Sequence, residues 1–276
     1  MVAIEIQYPR TFIPDGRITC DIPSSWNELT EKQLLRICEL LYVNSGDVYR
    51  FRISVLGHLL GLSWLEILMI RDRIVDLYPY IKFLEEENTL TDNKILTIHA
   101  KSITFHGPIG GFETLNVEEW TEADQAFIDF SGSKDIQDLD RLVAILYREA
   151  IHGMGPGHQS WKKDLRQQFI EEQVTLRQRI VSKISQSHKF AVLTWYAGCR
   201  KEWEEVFYRV FKENKSDGES FGWQETIQKV SGGTFGSLKE TEQTNMYKIM
   251  LHMEITMKDE QERKKQEQLN RRRHAN

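Results

Sequence analysis

Cysteine is scarce in this sequence, which has three, at Cys20, Cys38 and Cys199, and no CxxC pair. An odd number of widely spaced cysteines argues against a disulfide framework and predicts a reducing, intracellular setting. Proline is scarce too, at six in 276 residues, and with only 17 glycines the composition excludes collagen-like and linker-type chains. The longest uncharged apolar run, residues 53–65, is too short to cross a bilayer as a helix.

A leader sequence and a strong net charge are also missing. Glu5 stands where a signal peptide would have its apolar core, so we expect a soluble protein in the cytoplasm. The 36 basic and 41 acidic side chains give a net charge of −5, which predicts neither nucleic-acid nor membrane binding. The last 19 residues are weakly basic, but the Arg271, Arg272, Arg273 run by itself is too short to predict a nucleic-acid partner.

Hydrophobic periodicity predicts a predominantly α-helical α+β protein. Alternating apolar residues predict a small sheet from residues 2–22 and 94–117, packed against two pairs of helices. Helical spacing dominates the C-terminal half, including one long helix between Leu165 and Ile184. Helix starts are predicted by the capping sequences at residues 25–28, 30–33, 63–66 and 237–240.

The same patterns predict two domains. An α+β domain over 1–151 is followed by a Gly- and Pro-containing linker at 152–162 and a helical domain over 163–276, which ends in a long charged helix. Within the first domain, 18–62 and 112–150 resemble each other weakly. Each has a strand, a tryptophan, a capped helix and a second helix, so we expect two strand–helix–helix units.

Catalytic and metal-binding motifs do not occur in the sequence, which has no GxSxG, HExxH, EF-hand or P-loop pattern. His152 and His158 flank the glycine-rich linker without the further ligands that a metal needs. We therefore predict no catalytic residue, no metal and no cofactor. Solvated helix faces account for several carboxylates of the second helix pair, namely Asp124, Asp129, Asp135 and Asp138. Cys199 is expected to be a packed core thiol, although Arg200 and Lys201 beside it leave an activated thiol as the alternative.

Methionines recur at helical spacing near the C-terminus, beside Tyr247, Leu251 and Ile255. Such a stripe suits either core packing or a surface that adapts to a partner, and the sequence leaves both alternatives open. The candidate partner-binding residues are Met246, Tyr247, Met250, Met253 and Met257.

Residues 23–30 read Pro-Ser-Ser-Trp-Asn-Glu-Leu-Thr and lead into the Gln33, Leu34, Leu35 helix. This opening resembles that of tail assembly proteins of tailed phages and prophages, which act like chaperones of the tape-measure protein. The resemblance covers mainly residues 18–62. It implies a non-enzymatic protein that binds a tail protein in the host cytoplasm, with no catalytic residue to carry over.

Two other functions stay open at this point. The first is a structural virion component, such as a connector or tail-completion protein. The second is an enzyme whose site lies around His99, His106 and His152, which requires these side chains to converge with a carboxylate.

Overall fold

The computed structural model describes residues 1–7, 17–43, 47–70, 73–153, 164–214 and 223–274. Helices dominate these segments, which confirms the predominantly helical α+β class. The strands are β1 (Val2–Gln7), β2 (Arg17–Ile22), β3 (Thr97–Ala100) and β4 (Ile103–His106). The helices are α1 (Glu31–Cys38), α2 (Val48–Leu59), α3 (Trp64–Met69), α4 (Val117–Ser133), α5 (Ile136–Leu146), α6 (Val174–Val181), α7 (Gln186–Val206), α8 (Tyr208–Asn214), α9 (Trp223–Val230), α10 (Leu238–Glu242) and α11 (Met246–His274). Shorter 3₁₀ and π turns lie at Trp26–Glu28, Glu39–Val43, Ile74–Leu84 and Glu171–Gln173.

The strands form two separate antiparallel hairpins within the described residues, β1 with β2 and β3 with β4, so the prediction of one sheet is wrong. The chain that follows α5 pairs with one edge of the second hairpin. There the His106 amide donates to the Arg148 carbonyl at 2.7 Å, and the Arg148 amide donates to the His106 carbonyl at 3.1 Å. The expected strand up to residue 117 is absent as well. Asn116 accepts a hydrogen bond from the Glu119 amide and caps α4 at Val117, so no strand opens the expected unit 112–150, and the repeat of two strand–helix–helix units stays a prediction.

Three of the four predicted capping sequences form reciprocal capping boxes, at Thr30 with Gln33, Ser63 with Glu66 and Ser237 with Glu240. The fourth, at Ser25, makes no side-chain cap. The Glu28 carboxylate instead accepts hydrogen bonds from the amide and the hydroxyl of Ser24, at 2.7 and 2.9 Å.

The motif at residues 23–30, just before α1, holds the N-terminal part of the fold together. Trp26 is buried, and its indole donates to the Phe83 carbonyl at 3.0 Å. The Asn27 side chain binds a loop 62 to 65 residues further on, accepting from the amides of Thr91 and Asp92 at 2.9 and 3.0 Å. This motif therefore has a structural role in the chain.

Two helix predictions in the C-terminal half differ from the structure. The long helix predicted between Leu165 and Ile184 is confined to α6, because the chain before it pairs with residues 149–151 and turns the Arg166 side chain into the core. The terminal helix is interrupted after α10, where the Val117 amide donates to the Thr244 carbonyl at 3.0 Å.

The buried apolar side chains of 1–151 and of 164–274 belong to one hydrophobic core. α7 packs closely against the loop before β3, where a Cβ at Gly198 would lie 2.2 Å from the Leu90 carbonyl oxygen. Most of the predicted linker, 154–162, lies outside the described residues, and the division into two domains stays a prediction. In the described segments, no helix is both long enough and apolar enough to cross a membrane.

Candidate partner-binding site on the C-terminal helix

The methionine stripe of α11 lies mainly in the core. Met246, Met250 and Met253 are buried together with Ile249, and Met257 is half-buried at the edge of the core. Core packing, one of the two alternatives, therefore explains three of the four methionines. A role of the stripe in partner binding stays a prediction, which the structure restricts to the accessible Tyr247 and Met257.

A second apolar face of α11 is exposed. Tyr247, Leu251 and Ile255 are 40, 42 and 50% exposed. Residues four apart advance by about 40° around an α-helix, so the three side chains form one stripe beside the buried one. The first half of α11 is thus apolar on two faces, and the body of the protein covers only one of them.

Three polar anchors fix the position of this helix. Just before the helix begins, the side-chain amide of Asn245 donates to the Glu113 backbone carbonyl at 2.6 Å. Glu254 accepts from the Arg209 guanidinium at 2.6 Å and from the Val210 amide at 3.3 Å. About two turns further on, Gln261 accepts from the Arg209 guanidinium at 3.1 Å. These contacts lie before and after the exposed stripe, so they fix α11 at both ends of it.

The Tyr247 side chain of the exposed stripe packs against an aromatic cluster of the core. The Tyr247 ring meets Trp203 and Phe207 edge-on, at centroid distances of 6.2 and 5.6 Å. Trp203 in turn stacks on Trp120 at 5.8 Å. Buried aromatic contacts of this kind restrict side-chain motion, so Tyr247 presents a pre-ordered surface to solvent.

Beyond Met257, Leu269 is the single large apolar residue of α11, and residues 258–273 are exposed. Pairs within the helix, such as Lys264 with Glu260 at 2.9 Å, stabilise this part only weakly.

Buried charges, which the sequence analysis missed, lie where α4 and α5 meet the segment before α6. The Glu119 carboxylate is 2% exposed and accepts from Arg148 at 2.7 Å and from Arg166 at 2.5 Å. Burial lowers the pKa of Arg148, whereas for Arg166 the charges of Glu119 and Asp164 outweigh burial and raise it. Burial also lowers the pKa of Arg177 to about 10, aided by the positive charge of Arg148.

Asp124 is also buried, which corrects the prediction that it lies on a solvated helix face. It accepts from the Arg200 guanidinium at 2.6 Å and from the Trp223 indole at 2.8 Å, so it connects α4, α7 and α9. Asp135 and Asp138 are at the surface as expected, where Asp135 caps α5 and Asp138 accepts from Ser133 at 2.6 Å.

Two histidines of the alternative enzymatic site, His99 and His106, lie on the two strands of the β3–β4 hairpin, two positions apart in its register, and His152 lies beyond α5. The exposed His99 is 3.0 Å from the Thr104 hydroxyl through its Nδ1, His106 is half-buried at the end of β4, and His152 is exposed. His158 falls outside the described residues. Over the described ranges, no three His, Cys, Asp or Glu side chains are arranged to hold a metal ion.

The thiols are free, and the two on helices are buried. Burial raises the pKa of Cys38 to about 12 and raises that of Cys199 as well, so Cys199 is a packed core thiol as expected.

In the sequence, Leu251 and Ile255 stand out only as neighbours of the methionines. The spacing of 247, 251 and 255 pointed to a stripe, but which stripe faces solvent depends on the contacts of the folded chain. No family model, curated protein or solved structure matches this chain.

Proposed function

We propose that this protein is a non-enzymatic tail assembly protein of a tailed phage or prophage, which binds a tail protein in the host cytoplasm through the exposed stripe of α11. The observation that carries the binding role is that stripe, formed by Tyr247, Leu251 and Ile255 on an anchored helix. A contiguous row of ordered apolar side chains at the surface, unlike a single exposed one, is typical of a surface that another protein covers. The assignment to phage tails comes from the resemblance of residues 18–62, and the tape-measure protein is the proposed client.

Co-expression tests this proposal. The protein carries an affinity tag and is produced together with the tape-measure protein from the neighbouring gene, and the co-purified amount is measured. We expect stoichiometric capture by the wild type. We expect at least a tenfold loss for the double variant Leu251→Lys, Ile255→Lys, because two charges then face the partner's apolar surface.

Leu176→Lys provides the matched control, since Leu176 is 61% exposed on α6. It should bind as the wild type does, and all three proteins should unfold within about 2 °C of one another because the changed side chains are already exposed. Absence of co-purification by the wild type would refute the tail-protein client, and equal capture by all variants would refute the α11 site. Mass spectrometry of purified particles then measures whether the protein is present in the virion. An assembly factor is expected to be absent from it, and a structural component is expected to be present.

A further inference from the structure

A second apolar surface lies between α4, α7 and the π turn Glu39–Val43. It is a groove of about 410 Å³, and its walls are aromatic or aliphatic. The side chains that form these walls are Tyr42, Phe127, Phe130, Ile136, Phe190 and Leu193. Grooves of this size and lining are typical of sites that take up a bulky apolar group.

The aromatic wall is already ordered without a ligand. Tyr42 stacks on Phe190 with ring centroids 4.7 Å apart and an interplanar angle of 10°. Phe130 meets the Phe190 ring edge-on at 6.2 Å. Tyr42 is nevertheless 46% exposed, so the wall is open to solvent. An apolar group that enters the groove would bury this surface without reorganising it.

Lys134 contributes the charge at the rim of the groove. Its ammonium nitrogen lies 5.8 Å from the centroid of the Phe130 ring. In the part of the chain that the structure describes, no carboxylate lies within ion-pair distance of this ammonium, whereas Arg141 nearby in sequence pairs with both Glu122 and Asp129. A ligand that complements the groove therefore combines an apolar group with a negative charge.

The backbone of Lys134 allows its side chain to be tested separately from its conformation. Lys134 ends α4 in the left-handed conformation, with φ of +58°, and its amide donates to the Phe130 carbonyl at 2.9 Å. Glycine adopts this conformation without steric cost and is the common residue at this position of a helix end, whereas lysine is strained there. Glycine at this position therefore removes the charge without disturbing the end of the helix.

We propose that the groove binds a short peptide segment of another protein, in which a carboxylate follows a bulky apolar side chain. The apolar side chain packs between Phe130 and Phe190, and the carboxylate pairs with Lys134. This site is separate from the stripe on α11, and its test does not depend on the tail-assembly role.

The probes are two dipeptides, acetyl-Leu-Phe with a free carboxylate and the same dipeptide as its amide. Binding to the full-length protein is followed by NMR of the labelled methyl groups of Ile136 and Leu193. We expect the carboxylate form to bind at least fivefold more tightly than the amide. The preference should disappear in Lys134→Met, which keeps most of the side-chain length without the charge, and in Lys134→Gly.

Lys134→Gly should at the same time raise the unfolding temperature by about 2 °C, because it relieves the backbone strain. Lys101→Gly is the matched control, since Lys101 has φ of +56° in the turn between β3 and β4 and does not line the groove. It should keep the fivefold preference. The α11 double variant Leu251→Lys, Ile255→Lys should keep it too, which separates this site from the proposed function.

Three results would overturn the inference. One is equal binding of the two dipeptides to the wild type, since Lys134 then selects no charge. Another is binding of decanoate without binding of either peptide, which would make the groove a site for a small amphiphile. The third is that the methyl shifts of Ile136 and Leu193 change with protein concentration and not with added dipeptide. A second copy of the chain would then occupy the groove.

Discussion

Glu119 lies between two arginines that are 29 and 47 residues away in the chain. Its neutral variant Glu119→Gln would leave the buried guanidinium groups of Arg148 and Arg166 without their shared counter-charge. We expect this to lower the free energy of unfolding by about 3 kcal/mol. Urea denaturation measures the loss.

Glu122→Gln is the control on the same helix. Glu122 pairs with Arg141, and both are partly exposed, so this change should cost less than about 1 kcal/mol. A loss for Glu119→Gln no larger than that for Glu122→Gln would show that the buried ion pairs contribute little to stability.

The histidines make stability depend on pH. Burial lowers the pKa of His58, and the charges of Arg36 and Lys32 lower it further. Burial also lowers the pKa of His188. The unfolded chain therefore binds a proton more readily than the folded one, so stability is full above the unfolded-state pKa of about 6.5 and falls as the pH decreases through the lower folded-state pKa.

We expect the urea midpoint to decrease between pH 7.5 and pH 5.5, and the decrease to be smaller in His58→Gln. His99→Gln, which changes an exposed histidine, should follow the wild-type curve. A midpoint that is flat over this range, or equally steep in His58→Gln, would contradict this view of His58.

Residue-scale predictions from sequence succeeded where both partners are close in the chain. Thr30 and Gln33, or Ser63 and Glu66, are three residues apart, and the helix geometry alone brings them together. Asp124 and Arg200 are 76 residues apart, and nothing local distinguishes Asp124 from the surface carboxylates around it. Burial of a charge depends on its distant partner, and for that reason it could not be read from the sequence.

At the scale of secondary structure, α11 combines two regions of different stability. The part up to Met257 packs on the core and on the Arg209 anchor, whereas residues 262–273 are exposed and, in the part of the chain that the structure describes, form ion pairs only within the helix. We expect amide hydrogens of residues 262–273 to exchange at least about a hundredfold faster than those of 248–257. Hydrogen–deuterium exchange with peptide resolution measures this ratio, and equal protection along α11 would mean that the charged half has a partner.

Helix boundaries could be predicted where capping residues mark them, as at α1 and α3. They could not be predicted where tertiary pairing ends a helix. The segment before α6 has helical spacing, but its backbone pairs with residues 149–151. The strand pattern likewise predicts one sheet where the structure has two hairpins, because the pattern does not show that Arg148 pairs with the edge of β4.

At the scale of the whole molecule, three surface features differ from an ordinary solvated exterior: the stripe on α11, the charged helix end beyond it and the aromatic groove beside Lys134. The motif at residues 23–30, on which the proposed tail role rests, stabilises the fold. The binding surface that we propose lies instead at the other end of the sequence, on α11.

Complementation of a gene deletion tests this claim most directly. The prophage that lacks the gene is supplied with the wild type, with Leu251→Lys, Ile255→Lys, or with Leu176→Lys, and tailed particles are counted by electron microscopy. We expect the wild type and Leu176→Lys to restore tails and the α11 double variant to leave at most about a tenth of them, in line with the loss of a central apolar contact. Full restoration of tails by the α11 double variant, or normal tails in the deletion itself, would contradict a role of this surface in tail assembly.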